Sequence, residues 1–411
     1  MIKSFRGAWM VAACFVTFGL STGIPYYNIS FFYDYFARDF GWTRGDITLG
    51  FPLAAAFTLW IGPLIIHRFS PRKLILIGTG LTCVALVGFG RMSGMLWMYY
   101  GFWVVYTVGY FLAGPPPHQI IVSQWYRRNR GKAMAIVYVG VGLFGSLGSF
   151  LVKPLTEALG YRMALIILGA MLFAAWPLVL FVLKDKPSDI GQNPDGDPAP
   201  PPEQKVASVS FKELAGSSSF WLLLIGSLCS IGSIGAVNFH MKFVFLDAGF
   251  SKGEAVDGAW RTASILILWS SIAGRLSIGY FADKFSKKWV MFSTYFIVAA
   301  TIPVLLGVRP GADIFLYAFA VLFGFGMGAD YMMIPLMAAE QFGVNSLARA
   351  MAVILPVNTI GQTWFPYLVS HLQVWMGGYQ GALTVVMAVS LVGAAAIGML
   401  PKQRPFDTSS N

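Results

Sequence analysis

The sequence predicts an all-α membrane protein with twelve transmembrane helices in two pseudo-symmetric six-helix halves. Three observations carry that expectation. Hydrophobic residues make up 56% of the 411-residue chain and charged residues only 11%, with a mean hydropathy of +0.66; a soluble domain carries about 25% charged residues. The apolar residues gather in twelve runs that reach or approach the ~18–20 residues needed to cross a bilayer. Short motifs of the first half return, in the same order, in the second.

The runs cover roughly 9–32, 47–66, 73–92, 96–122, 133–155, 161–183, 218–246, 259–282, 289–308, 313–337, 350–372 and 379–400. They do not alternate apolar and polar residues over ~10-residue segments, which argues against a β-barrel. With the amino terminus placed in the cytoplasm, the inner segments hold more than twice as many Lys and Arg as the outer loops. That asymmetry is the positive-inside pattern of a multi-pass plasma membrane protein, here a bacterial inner-membrane protein with both termini cytoplasmic. The net charge of +11 therefore faces anionic lipid and does not indicate nucleic acid. Cys14, Cys83 and Cys229 lie within apolar runs without ligand-like spacing, so neither a disulfide framework nor a metal site is expected. The first run is too long for a signal-peptide core and should stay as the first helix.

Internal repetition sets the organisation. Asp39-Phe-Gly-Trp-Thr-Arg-Gly-Asp46 returns as Asp247-Ala-Gly-Phe-Ser-Lys-Gly-Glu254, Arg68-Phe-Ser-Pro-Arg-Lys73 as Lys284-Phe-Ser-Lys-Lys288, and Lys132-Ala-Met-Ala-Ile136 as Arg349-Ala-Met-Ala-Val353. Each second copy lies about 210 residues downstream of its first, a spacing of six crossings. An even number gives both halves the same orientation, a parallel repeat. Thr43 with Asp46, and Ser251 with Glu254, read as capping boxes that open helices 2 and 8. Between the halves, Lys184 to Ser217 is hydrophilic and rich in proline, including Pro187, Pro194, Pro198 and Pro200–Pro202. It reads as an extended or mobile linker. The expected division is residues 1–184, a cytoplasmic linker 185–217, and residues 218–411 with a short cytoplasmic tail.

Polar residues inside the runs are the candidate chemistry. Arg275 stands within Trp260–Ala282. Arginine stays charged wherever it is placed, and at mid-membrane it costs at least ~3 kcal/mol on insertion scales. It either grips a carboxylate ligand with its planar fork or pairs with an acid on a neighbouring helix. Asp330, in Gly324-Phe-Gly-Met-Gly-Ala-Asp-Tyr331, is the acid that lies well inside a span. It sits ~15 Å from Glu340, and Arg275 ~12 Å from Asp283, so the two are at similar depth. Asp330 is the candidate proton carrier; a permanent pair with Arg275 or a fixed hydrogen bond is the alternative.

His118 follows Gly114-Pro-Pro-Pro117. Its ordinary pKa of ~6.5 suits a proton relay or a ligand contact, whereas a lone membrane histidine more commonly ties helices together. Tyr26, Tyr27 and Asn28 follow Pro25 in helix 1 and either line a cavity or anchor the helix at the interface. Asn358 and Gln362 are one turn apart on helix 11, where amides should face protein or cavity rather than lipid. Together with Tyr331 they complete the candidate substrate contacts. Asn238, His240 and Lys242 stand near the outer end of helix 7, with snorkelling the simpler account of the lysine. Gly140-Val-Gly-Leu-Phe-Gly145 has nucleotide-fingerprint spacing but falls inside a helix, where it means close packing. Four scattered histidines make no metal site, and no motif of hydrolytic or nucleotide-dependent enzymes is present. No cofactor and no enzymatic activity are expected.

These features resemble the major facilitator superfamily. Gly279-Tyr-Phe-Ala-Asp283-Lys284-Phe-Ser-Lys-Lys288 is similar to that superfamily's loop motif, in which Asp283 and Lys284 hold gating positions; the first-half copy departs from it at Pro63 and His67. Within the superfamily the chain resembles the monocarboxylate porter branch, including the oxalate/formate exchangers. The residues carrying the likeness are Gly41-Trp42-Thr43-Arg44-Gly45-Asp46, Ser123-Gln-Trp-Tyr-Arg-Arg-Asn-Arg-Gly-Lys132 and Ala273-Gly-Arg275-Leu-Ser277.

The resemblance implies alternating-access transport of small organic acids such as lactate or pyruvate, with Arg275 as the carboxylate ligand and often a proton as companion. Ser271 stands where animal members carry an aspartate, Tyr26 where they carry a lysine, and helix 11 lacks the lysine of oxalate carriers. Those departures remove the usual proton pair and favour a singly charged substrate. The expectation is a proton-coupled monocarboxylate symporter whose partners are a small organic anion, a proton and lipid. The alternatives are an organic anion exchanger and a non-transporting membrane sensor.

Overall fold

The computed structural model describes residues 5–43, 46–47, 49–58, 65–66, 68–198, 209–251 and 254–401. All regular structure among them is helical. Helix 1 runs Gly7–Phe40. The described part of helix 2 is Gly50–Thr58, and helix 3 is Pro71–Arg91. Helix 4 is two pieces, Leu96–Ala113 and Pro115–Trp125. Helices 5 and 6 share one helical tract, 130–182, broken at Gly160, whose φ of 78° is left-handed and suits glycine. Helices 7 to 12 are Ser218–Asp247, Glu254–Lys284, Lys287–Leu306, Asp313–Phe342, Val344–Trp375 and Tyr379–Gly398.

Eight helical stretches among the described residues are long and apolar enough to cross a membrane. The twelve-run count exceeds eight for local reasons. Helices 5 and 6 are merged, the described part of helix 2 is only nine residues, helix 4 is interrupted and rich in Trp and Tyr, and helix 11 carries Arg349, Asn358, Thr359, Gln362 and Thr363. Large apolar side chains such as Phe150, Phe181 and Trp375 point outward, as lipid-facing surfaces require.

The chain forms two compact units, Met1–Lys205 with Leu347–Pro356, and Val206–Ser346 with Val357–Asn411. The first is filled by rings: Phe32, Phe36, Phe89, Tyr99, Trp103 and Tyr106 are buried in one cluster. Helix 1 is distorted at its middle. Gly19–Gly23 is a π-turn followed by Pro25, and Ile29–Phe32 is 3-10, as expected where proline removes a backbone donor. Close packing uses small residues. A Cβ at Gly140 would meet the carbonyl of Phe15, so the fingerprint-like glycines of helix 5 do bring it against helix 1. Thr43 and Asp46 form the expected reciprocal cap: each backbone N–H donates to the other's side chain, at 3.0 and 3.2 Å. Pro63, His67, Arg44 and Gly45, and the Glu254 side chain of the second expected cap, lie outside what is described.

The segment after helix 6 differs from the expected extended linker. Residues 184–197 are folded against the first unit. Pro187–Ile190 and Pro194–Gly196 form 3-10 turns, and the Asp195 carboxylate accepts the backbone N–H groups of Arg127 and Arg128 at 3.0 and 2.8 Å. Asp195 has a φ of 58°, rare for a residue with a side chain, and Asp197 pairs with Arg128. The Trp125 indole donates to the carbonyl of Lys184, and the backbone N–H of Arg6 to the side-chain oxygen of Gln192. Prolines here stiffen turns that acids and amides pin. Farther on, Ser210 and Glu213 cap a short helix, Phe211–Gly216.

The second unit is organised around helices 8 and 10. Gly274, Gly324 and Gly328 bring the two backbones into contact: a Cβ at these positions would collide with the carbonyls of Phe325, Ile267 and Ser271 respectively. In a bilayer, where helices gain little from burying apolar surface, such approach drives association by packing and polar contact. At one end of this unit the Lys287 ammonium pairs with Glu340 at 2.8 Å and that of Lys288 donates to the carbonyl of Leu400 at 2.6 Å. These contacts fasten helix 9 to helix 10 and to the end of helix 12.

Two outcomes are expected. Gly328→Leu should destabilise the protein by about 1–3 kcal/mol through overpacking, whereas Gly80→Leu, where a Cβ meets nothing within 4 Å, should leave the melting temperature unchanged. Asp195→Gly keeps the left-handed turn and removes only the carboxylate. Hydrogen exchange at the Arg127 and Arg128 amides should then quicken, with a loss of about 1–2 kcal/mol in local protection; unchanged exchange would show that the clasp is not held by Asp195.

Candidate functional site

Arg275 is half-buried on helix 8. The glycine contact between helices 8 and 10 brings a main-chain oxygen within its reach, and its Nε–H donates to the Gly328 carbonyl at 3.1 Å. One donor of the fork thus fixes the guanidinium plane. Three residues along helix 10, the half-buried Tyr331 donates its hydroxyl to the Gln362 side-chain oxygen of helix 11 at 2.8 Å. Arg275 on helix 8 and the Tyr331–Gln362 pair on helices 10 and 11 are thus half-buried polar side chains of the second unit, all three nominated by sequence reasoning.

Asp330 and Asn358 belong to a different layer. Both are fully buried. Asp330 accepts from the Ser230 hydroxyl of helix 7 at 2.6 Å, and the side-chain oxygen of Asn358 accepts from Ser227, one turn away, at 3.1 Å. Tyr295 of helix 9 lies beside the Asp330 carboxyl. The permanent Asp330–Arg275 pair considered from the sequence is not formed, and the reason is geometric. Asp330 and Tyr331 are neighbours in sequence, so on a helix they point ~100° apart. Equal depth did not mean a shared face. Ser227, Ser230 and Tyr295 were missed; the signal was the spacing Ser227, Ser230, Ser233 down one face of helix 7.

In the first unit, Tyr26 is half-buried, its ring 5.4 Å from Tyr110 and edge-on to Phe51. Tyr27 is exposed, and Asn28 donates to the carbonyls of Ile24 and Gly145 at 2.8 and 3.0 Å, which braces the kinked part of helix 1. His118 is fully buried and stacked on Phe18 at 4.7 Å. Its Nδ1 is 2.7 Å from the Gly114 carbonyl and its Nε2 2.9 Å from the Thr17 hydroxyl. A carbonyl only accepts, so Nδ1 carries the hydrogen. The opening of helix 4 before its prolines exposes carbonyls as expected, and Ser21 and His118 satisfy those of Ala113 and Gly114. His118 thus fits a tether between helices 1 and 4 better than a ligand contact.

Helix 7 shows the same pattern. His240 is buried, its Nε2–H donating to the Pro366 carbonyl and its Nδ1 accepting from the Tyr379 hydroxyl, both at 2.8 Å. It joins helices 7, 11 and 12 instead of attracting anions. Lys242 rests over the Trp260 ring, and Asn238 donates to the Met327 sulfur. At the far end of helix 8, Asp283 is half-buried and Lys284 lies over the Tyr280 ring at 4.5 Å. His240→Phe should strand the buried Tyr379 hydroxyl and cost about 1–3 kcal/mol. The expected readout is a lower melting temperature with substrate affinity unchanged; a selective loss of affinity would return His240 to the site.

Comparison with known proteins agrees with this architecture. The chain is 22% identical to mouse (Mus musculus) Monocarboxylate transporter 11 over 422 aligned positions, covering 97% of this chain and 88% of that protein. It is 23% identical to the Fujikurins efflux protein of Gibberella fujikuroi, over 95% of this chain and 80% of that one. Its fold superimposes on the proton:xylose symporter XylE, bound to 6-bromo-6-deoxy-D-glucose, with a TM-score of 0.73 at 12% identity, covering 98% and 97% of the two chains. These are transporters, not enzymes. Residues 10–277 match the Major Facilitator Superfamily profile, and the chain is a member of that superfamily.

Proposed function

We propose that the protein is a secondary transporter of small monocarboxylates of the lactate or pyruvate kind, working by alternating access with proton symport. The observation that carries this reading is Arg275: a permanent cation inside a span, oriented by the Gly328 carbonyl and followed along helix 10 by the Tyr331–Gln362 pair. A charge in that setting is stabilised by an anion that arrives there. The carboxylate binds the guanidinium, and Tyr331 and Gln362 give neutral contacts on the same half.

Helix 11 has no lysine, which favours one carboxylate over two. Likeness to proteins named monocarboxylate transporters along almost the whole chain supports the same class. The membrane assigned is a bacterial inner membrane, with both termini cytoplasmic on the positive-inside rule. Organic anion exchange is the second reading, favoured by the absence of an acid at Ser271.

Reconstituted vesicles test this. Labelled lactate should accumulate under an inward proton gradient, and Arg275→Ala should abolish uptake. Arg275→Lys should lower it by about tenfold, since a point charge replaces the fork and the bond to Gly328 is lost. Accumulation only against preloaded anion would favour exchange. Flux unchanged by Arg275→Ala would remove the site.

A further inference from the structure

The interior of the second unit holds a polar site that the carboxylate anchor does not use. Asp330 is 0% exposed, and its Oδ1 has no hydrogen-bond partner, while its Oδ2 accepts from Ser230. The Tyr295 hydroxyl lies beside the same carboxyl, within bonding reach of it, and is buried with no other partner. Titratable or charged groups around it are Tyr295 on helix 9, Cys229 on helix 7, Tyr331 on helix 10 and Arg275 on helix 8, whose Nε–H is bonded to Gly328. Among the described residues, Asp330 forms no ion pair. A carboxylate buried without a countercharge is severely penalised, so the site needs a cation small enough to enter it.

We propose that Asp330, Ser230 and Tyr295 form the site of the symported proton, set apart from the carboxylate at Arg275. This rests on the transport reading above and deepens it. The proton enters on Oδ1 and forms an O–H bond that points to the Tyr295 oxygen. When it leaves to the opposite aqueous side, that bond breaks and the Tyr295 hydroxyl turns to donate to the bared Oδ1. Ser230 holds Oδ2 throughout. Asp330 is the binding residue, and Ser230 and Tyr295 are positioning residues. Protonation thus alters contacts among helices 7, 9 and 10, and coupling runs through helix packing, not through neutralisation of Arg275.

The full-length protein in vesicles provides the test. Asp330→Asn should lose lactate accumulation under a proton gradient and the pH dependence of flux, yet keep lactate countertransport within about twofold of wild type, while Arg275→Ala loses both. Tyr295→Phe and Ser230→Ala should displace the pH profile of uptake without abolishing it. Infrared spectra of the detergent-solubilised protein should contain a protonated-carboxyl band absent from Asp330→Asn. That measurement stands even if lactate proves the wrong substrate; if the asparagine variant fails to fold, Asp330→Glu, which keeps a carboxyl on a longer arm, should displace the band and the pH profile of uptake, and a wild-type band and profile would overturn the proposal. Proton-driven accumulation in Asp330→Asn equal to wild type would overturn the proposal, as would loss of countertransport in a variant with wild-type melting. So would accumulation driven by a sodium gradient and abolished by Asp330→Asn, or a carboxyl band unchanged by the substitution.

Discussion

The meeting of helices 8 and 10 through glycine is the constraint on which the second half of this protein depends. Gly274, Gly324 and Gly328 remove the side chains that would hold the two backbones apart. Only then does a helix 10 carbonyl come within 3.1 Å of the Arg275 guanidinium. Larger residues would widen the gap, and the arginine would lose its orientation while keeping its charge. In hydrocarbon, where a stray charge has no water to return to, orientation and tolerance of the charge are one problem. Small residues solve it by letting main-chain dipoles reach the cation.

The architecture was legible because a bilayer writes it in composition. Apolar runs, basic asymmetry and the repeated motifs each follow from solvent constraints that do not depend on detailed packing. Arg275 was legible for the same reason, since a permanent cation inside an apolar run stands out. What surrounds it was harder to read. Depth along a helix follows from counting residues, but facing follows from rotation and from which neighbour packs there. Asp330 and Arg275 matched in depth and diverged in direction, and Ser230 and Tyr295 entered only once helices 7 and 9 were in place. The histidines show the complementary difficulty. His118 and His240 are titratable residue types, yet carbonyls and hydroxyls, all on neighbouring helices except the Gly114 carbonyl of helix 4 itself, engage both ring nitrogens of each, which sequence spacing did not reveal.

The segment following helix 6 carried a misleading composition. Proline, glycine and acids with few apolar residues normally indicate a chain that cannot bury a core. Here those residues serve a surface that is already built. Asp195 caps two exposed amides and Gln192 a third, while tight turns let the chain fold back. A short polar stretch needs no core of its own when it can satisfy the unpaired donors of another.

Asp330 and Tyr331 stand side by side in the chain but occupy different surroundings, one sealed among helices 7, 9 and 10, the other half-open beside Gln362. Helical rotation thus divides a single stretch of helix 10 between two environments. Substitutions at position 331 or 362 would alter the half-buried face without touching the buried Asp330 carboxyl behind it. A helix divided in this way allows its two faces to drift independently in evolution, under separate selection.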